Sequence, residues 1–322
     1  MPEIDRNKFL LPIGITCWIN GPAGSGKTRL GMGFPDVLAI TFDPTGLDVL
    51  KEPENQLLLD NLRWHVPLNG IDLAQVFQFS EKPGETGIYP AIALAKQLGP
   101  RGEKKIKTVL VDGFTYLAQL KWTQICQAKG VDPTVKEDMN RKESDQRGWY
   151  DALGSYLDHL VLQNLLPLAT RHDLNVVVTC HIQRESDNTV KGMQTNRNVE
   201  LAAQSKRLVN LDSDLSAQVV GGFRQRIDGL PSATIYLEHK LEEQDGKEVL
   251  KYYAYCKMTR SQSLDTVIKA KNRYGLGTLN LTNASFYKTL LKKIEDSRNN
   301  NAAQSKPESK SETKSQSQTK GA

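Results

Sequence analysis

The chain has 322 residues, of which 39% are hydrophobic and 25% are charged, and this composition is that of an ordinary soluble globular protein with one large domain or two. The formal net charge is +5, but residues 297–322 hold five Lys or Arg and two Glu and so carry +3 of it, which excludes a strongly basic field over the whole folded part. The amino-terminal residues lack a basic stretch followed by an apolar one, and no run of about 18 apolar residues occurs, so we expect a cytoplasmic protein without a membrane segment.

The first predicted element is a strand that leads into a glycine-rich loop. Residues 13–19 are an apolar run that predicts a buried strand, residues 21–28 read GPAGSGKT, and residues 29–32 can begin a helix. This is the complete P-loop pattern in its required setting, and a chance glycine-rich turn is the alternative. We expect the loop to hold the phosphates of ATP, with Lys27 at the β- and γ-phosphates and Thr28 as a ligand of Mg²⁺. The candidate nucleotide-binding residues are Gly21, Pro22, Ala23, Gly24, Ser25, Gly26, Lys27 and Thr28.

Two further predicted strands end on carboxylates. The apolar run 37–42 leads into Asp43, and we expect this strand to lie beside the P-loop strand. The run 107–111 leads into Asp112. P-loop ATPases hold the shell of their Mg²⁺ with an Asp at the end of such a strand, so Asp112 is the candidate metal-site residue. A strand that ends in Asp-Gly is also an ordinary turn signal. Gly113 follows Asp112 where an AAA+ ATPase would have its catalytic Glu, and this argues against that class.

A charged segment and a long helix follow. Residues 131–147 are charged and unpatterned, which predicts an exposed insertion. Apolar residues at helical spacing predict one long helix over residues 148–169, and Pro167 is the point at which it can be interrupted.

The remaining predicted elements are strands. The strand 175–179 leads to His181, whose side chain would face the nucleotide if this strand lies beside the P-loop strand. A histidine held at a strand end for structural reasons is the alternative. Residues 234–238 and 250–257 predict two more strands. The alternation of strands and helices predicts an α/β fold whose mainly parallel central sheet is flanked by crossover helices.

The predicted domain spans residues 1–295. It includes a long polar segment over about residues 185–220, and segments of this length within a domain are usually functional or disordered. Residues 296–322 form a tail rich in Ser, Lys and Gln, which we expect to be disordered; a basic tether for single strands is the alternative.

These motifs together resemble the RecA-type recombinases, and more closely the compact single-domain RecA-like ATPases of bacteriophages that are associated with single-strand annealing. The resemblance covers about residues 10–280. It is carried by the P-loop, the strand ending at Asp112, VVVTCHIQRE at 176–185, GGFR at 221–224, the strand ending at Leu237 and Glu238, and KAKNR at 269–273.

The resemblance implies a RecA-like P-loop NTPase that binds ATP and Mg²⁺, binds single-stranded DNA and forms homo-oligomers. It also implies phage recombination or replication proteins as partners in the host-cell cytoplasm. Among the residues, it implies a γ-phosphate sensor at His181, a DNA contact within residues 185–220, and a contact of Lys271 and Arg273 with the nucleotide of a neighbouring subunit. A solvated mobile loop and a solvated basic turn are the alternatives for the last two.

One position departs from the family pattern. The family has a Glu about two residues beyond the Asp where this chain has Thr45, and a threonine cannot be a general base. Either Asp43 or Asp48 orients the attacking water, with turn capping as the alternative for both, or hydrolysis is slow and nucleotide binding alone switches the protein. Three functions therefore stay open. They are a DNA-stimulated ATPase, a nucleotide-binding scaffold or assembly protein that Thr45 favours, and a small-molecule kinase, which the lack of an arginine-rich acceptor lid disfavours.

Overall fold

Two sheets and a set of flanking helices make up the computed structural model, which describes residues 14–43, 45–67, 105–132, 146–184, 215–217, 223, 230–261, 266–268, 270–281, 286–293 and 296. The strands, in chain order, are β1 (Thr16–Asn20), β2 (Val37–Thr41), β3 (Leu62–Pro67), β4 (Thr108–Asp112), β5 (Asn175–Cys180), β6 (Ile182–Arg184), β7 (Leu215–Ala217), β8 (Ala233–Gln244), β9 (Lys247–Tyr255), β10 (Thr259–Ser261), β11 (Thr266–Ile268), β12 (Lys271–Asn272) and β13 (Thr278–Asn280).

The larger sheet has the strand order β13-β9-β8-β1-β5-β4-β2-β3, with β12 paired to β8. The six strands from β8 to β3 are parallel to their neighbours, while β9, β12 and β13 are antiparallel. The predicted α/β class with a mainly parallel central sheet is confirmed. A smaller sheet has the order β10-β11-β7-β6.

Helices connect and cover the parallel strands. The α-helices are α1 (Lys27–Met32), α2 (Phe114–Ala128), α3 (Gln146–His159) and α4 (Leu166–His172), and 3₁₀ turns run over Asp48–Lys51 and Pro53–Asn61. A π-helical stretch, Leu160–Leu165, joins α3 to α4, so the predicted helix over 148–169 exists with a change of winding just before Pro167. Proline has no N–H to donate to the preceding turn, so the altered hydrogen bonding beside it is expected.

The central strands are buried on both faces, which is why they are continuous apolar runs in the sequence. Trp18 and Val178 point to the face covered by α2, α3 and α4. Ile19 and Val177 point to the opposite face, which is covered by α1 and by the helical residues 286–293. With both faces covered by helices, the carboxyl ends of the parallel strands form an edge where loops meet.

One sequence prediction is wrong in part. Residues 250–257 do form a strand, but it belongs to an antiparallel hairpin and has no crossover helix. Asp245 and Gly246 form the two-residue turn with φ values of 53° and 74°, which matches the twist of an antiparallel pair. The insertion predicted over about 131–147 stays a prediction. Its first residue, Val131, is buried and α3 begins at Gln146, but residues 133–145 lie outside the described residues.

Other predictions fall largely outside the described residues. These are most of the 131–147 segment, most of the 185–220 segment, Lys269 and the tail after residue 296. Residues 215–217 are an exception, since they form β7 of the smaller sheet. Within the described ranges, no helix combines the length and the apolar character needed to cross a membrane.

Candidate nucleotide site

The P-loop joins the end of β1 to the start of α1. Gly24 and Gly26 have φ values of 74° and 86°, in the left-handed region that favours glycine. Gly21 is needed for a different reason, because a Cβ there would lie 2.9 Å from the carbonyl oxygen of Leu237 on β8. The Ser25 hydroxyl donates to the carbonyl oxygen of Pro22 at 2.8 Å and ties the loop to itself. The loop therefore has the shape that the motif predicts.

Lys27 extends back across this loop. Its ammonium group donates to the carbonyl oxygens of Gly21 at 3.1 Å and Pro22 at 2.7 Å. Burial lowers the pKa of Lys27, and the nearby carboxylate of Asp112 acts in the opposite direction. The cation is thus held under the loop, where a phosphate group bound by the loop would meet it.

The Asp112 carboxylate, at the end of β4, is the centre of a hydroxyl network. The hydroxyl of Thr28 lies 3.1 Å and 3.0 Å from its two oxygens, and that of Thr179 donates to Oδ1 at 2.6 Å. The same Thr179 oxygen accepts the backbone N–H of Gly113 at 2.8 Å. Asp112 is only 2% exposed, and burial raises its pKa, although the two hydroxyl donors oppose the shift.

Thr179 was not among the site residues predicted from sequence. It is buried in β5, between the P-loop strand and the Asp112 strand, and it positions the carboxylate. Two signals in the sequence could have found it, because Thr179 is a polar residue at the end of the predicted strand 175–179 and lies in the VVVTCHIQRE stretch that carries the resemblance.

The donor set fits Mg²⁺. One hydroxyl and one carboxylate, Thr28 and Asp112, are in contact, and the described part of the chain has no group of three or more His, Cys, Asp and Glu residues that would form a closed metal cage. Mg²⁺ is typically held by one or two carboxylates together with phosphate oxygens and water. These two residues would hold the ion beside the loop.

Asp43 lies in a turn next to Asp112. Its Oδ1 accepts the backbone N–H and the hydroxyl of Thr45, each at 2.9 Å. Gly46 of the same turn packs against Oδ2 of Asp112, where a side chain would not fit. Asp43 is close enough to influence the pKa values of Asp112, Lys27 and His181. The structure therefore brings Asp43 to the site.

Asp48 is not brought to the site in this way, since its exposed carboxylate pairs with Lys51 at 2.5 Å.

The expectation that the strand before Asp43 lies beside the P-loop strand is wrong, because β5 and β4 separate β2 from β1. Asp43 approaches the site through its neighbour β4. The backbone N–H of Phe42 donates to the carbonyl oxygen of Asp112 at 2.8 Å.

His181 follows β5, which pairs with β1 as expected. Its backbone N–H donates to the hydroxyl of Thr115 at 3.0 Å, and its ring packs edge-on against Tyr116 with centroids 5.5 Å apart. Burial lowers the pKa of His181, and the charge of Lys27 lowers it further while that of Asp43 opposes the shift, so the site favours the neutral imidazole. A neutral imidazole can offer an N–H to a phosphate oxygen.

Lys271 and Arg273 are not brought to this site. Lys271 pairs with Thr234 on β8, and the backbone N–H of Arg273 donates to the carbonyl oxygen of Ser232 at 3.1 Å. This is the amino end of β8, whereas the P-loop lies at the carboxyl end of β1. A role towards the nucleotide of a neighbouring subunit stays a prediction.

Comparisons with known proteins give one family. A family model described as an AAA domain matches residues 13–274, more than half of the chain. Among solved structures, the flagellar accessory protein FlaH from Methanocaldococcus jannaschii is similar, with 15% identity over 79% of this chain and 84% of that one and a TM-score of 0.28. A search of curated proteins finds no match.

The family match corrects the expectation that Gly113 separates this chain from the AAA class. The residue itself has a local explanation. Its φ is 84°, and a Cβ at this position would lie 3.0 Å from the backbone nitrogen of Asp43. A Glu at this position would strain the turn, so any carboxylate that orients water must come from elsewhere.

Proposed function

This chain belongs to the AAA domain family, and we propose that it is an ATPase that binds ATP with Mg²⁺ and couples the bound nucleotide to single-stranded DNA. The observation that carries the proposal is the contact of Thr28 with the buried carboxylate of Asp112 beside a complete P-loop. Lys27, held under the loop by two carbonyl oxygens, completes the set of charges that a triphosphate and a divalent ion require.

Each residue of the proposed site has one task. Bound Mg²⁺ would polarise the phosphate oxygens and neutralise charge that develops during transfer. Thr28 and Asp112 hold the ion, and Thr179 fixes the orientation of the Asp112 carboxylate. Lys27 binds the β- and γ-phosphate oxygens, and His181 donates a hydrogen bond at the γ-phosphate side.

Asp43 is the proposed base that orients the attacking water. Asp112 is the metal-site candidate, and Asp43 is the carboxylate next to it. Thr45 fixes Oδ1 of Asp43 with two hydrogen bonds. Thr45 thus has a supporting role at the position where a Glu was expected. Because Oδ1 is already committed to two donors, it is less available to a water molecule, which supports slow hydrolysis without DNA. A nucleotide-binding scaffold with little hydrolysis is the second candidate, and the same two bonds favour it.

Coupling to DNA is proposed from the course of the chain. His181 leads directly into β6 (Ile182–Arg184) and then into about residues 185–220, the segment that resembles the DNA-contacting region of RecA-like proteins. This segment contains Lys and Arg but no aromatic residue, so binding would use backbone phosphates more than base stacking. A homo-oligomer and a role in phage recombination or replication are part of the same proposal.

The test measures ATP binding by calorimetry and ATP turnover with and without single-stranded DNA at two salt concentrations. Lys27→Ala should abolish binding, while Lys51→Ala, which removes an exposed cation that pairs with Asp48, should leave it unchanged. Tight binding with turnover that DNA accelerates supports the ATPase. Binding without turnover supports the scaffold, and unchanged ATP affinity in Lys27→Ala contradicts the P-loop assignment.

A further inference from the structure

The β8–β9 hairpin stands beside the P-loop, on the side away from Asp112. In the sheet, β8 and β9 follow β1 in one direction, while β5 and β4 follow it in the other. Tyr236 of β8 pairs with Asn20, the last residue of β1, and His239, three residues later, pairs with Tyr252 of β9. At about 3.4 Å per residue, Tyr252 lies about 10 Å beyond the end of β1, at the edge of the sheet where the loop begins.

Tyr252 turns its ring towards the loop. A Cβ at Gly26 would lie 3.5 Å from Cδ1 of Tyr252, so the ring contacts the start of α1. The guanidinium carbon of Arg29 lies 5.9 Å from the ring centroid, and the His239 ring lies at 6.5 Å. The tyrosine is half-buried, so the residue keeps part of its surface exposed to solvent.

A triphosphate bound along the loop has its Mg²⁺-binding phosphates at one end and its nucleoside at the other. The end that carries Mg²⁺ is set by Thr28 and Asp112, on the β5 and β4 side. The nucleoside end therefore leaves the loop on the β8 and β9 side, where Tyr252 and Arg29 form an aromatic and cationic wall. We propose that the nucleobase stacks on Tyr252 beside Arg29, an inference that rests on the proposed nucleotide binding.

The experiment compares two probes in the presence of Mg²⁺: ATP, and inorganic tripolyphosphate, which has the phosphates but no base. Tyr252→Ala should weaken ATP binding by about fivefold to a hundredfold, the effect of losing one stacking contact, and leave tripolyphosphate binding unchanged. Tyr252→Trp should restore ATP affinity. Tyr253→Ala is the matched control, because its side chain lies on the opposite face of the same strand, bonded to Glu242.

Each other outcome overturns the inference in a distinct way. If Tyr252→Ala weakens ATP and tripolyphosphate equally, the ring only supports the loop. If ATP affinity is unchanged in that variant, or falls as much in Tyr253→Ala, the base lies elsewhere or the hairpin acts as a whole. If the wild-type chain binds neither probe, the proposed nucleotide binding fails and this inference fails with it.

Discussion

Removal of the Thr179 hydroxyl should both destabilise the fold and weaken the metal-dependent part of ATP binding. Thr179→Val keeps the side-chain volume, so no cavity adds to the effect. It leaves the buried N–H of Gly113 without its acceptor and removes the 2.6 Å donor of Asp112. An unsatisfied buried donor costs about 1–3 kcal/mol, and a hydrogen bond to a charged group contributes about 1.5–3 kcal/mol. Because Thr28 still donates to Asp112, we expect a total loss of about 2–4 kcal/mol.

Urea unfolding followed by tryptophan fluorescence measures this loss, since Trp18 is buried in the core beside α2. Thr170→Val is the matched control: it removes a 3.3 Å hydroxyl bond on an exposed helical turn and should cost under about 0.5 kcal/mol. A purely structural role would not affect metal binding. We therefore expect ATP affinity to fall about tenfold or more with Mg²⁺ and to stay constant in EDTA. Equal stability of the two variants, or equal losses with and without Mg²⁺, would refute the positioning role of Thr179.

Two further predictions concern the carboxylates. Asp43→Asn should lower ATP turnover at least about tenfold and leave ATP affinity nearly intact. Asp48→Asn should change neither quantity, because Asp48 pairs with an exposed lysine. If turnover responds to Asp48→Asn alone, Asp48 and not Asp43 is the base. Burial raises the pKa of Asp112, so the folded state keeps this proton to a higher pH than the unfolded chain. Its contribution to stability is then fully present below the ordinary carboxyl pKa and lost as pH rises through the raised one. Asp112→Asn should remove this fall from the urea midpoints, and an unchanged pH profile would contradict the shift.

The local chemistry of the site could be predicted from sequence, but its assembly could not. The P-loop geometry depends on glycines within a single motif of eight residues. The pairing of Thr28 with Asp112 follows because the carboxyl ends of the strands meet at one edge of the sheet. The order of the parallel strands could not be predicted from sequence. Buried strands such as 37–41 and 175–180 have the same apolar character wherever they lie in the sheet. This is why β2 was expected beside β1, and why the part played by Thr179 in the intervening strand was missed.

The hairpin shows the opposite case, since its signal was present in the sequence. Asp245-Gly246 between two strand-like runs is a strong indicator of a two-residue hairpin turn. Reading 250–257 as another parallel strand hid the fact that Tyr252 returns to the P-loop. The placement of Lys271 and Arg273 depends on pairing across more than thirty residues to β8, which no local pattern specifies.

The hydrogen bonds of Lys27 and Asp112 separate a functional site from a structural ion pair. In the described residues, the ammonium group bonds to loop carbonyl oxygens and the carboxylate bonds to hydroxyl groups, although each charge affects the pKa of the other. A pair kept for stability alone would be expected to bond directly, because an imperfectly compensated buried carboxylate is costly. A nucleotide site requires that phosphate oxygens bind the ammonium group and that Mg²⁺ binds the carboxylate. Both charges must then lie near each other while each is held by neutral partners, as they are here. The burial of Asp112 is therefore best explained as a cost to stability that ligand binding offsets.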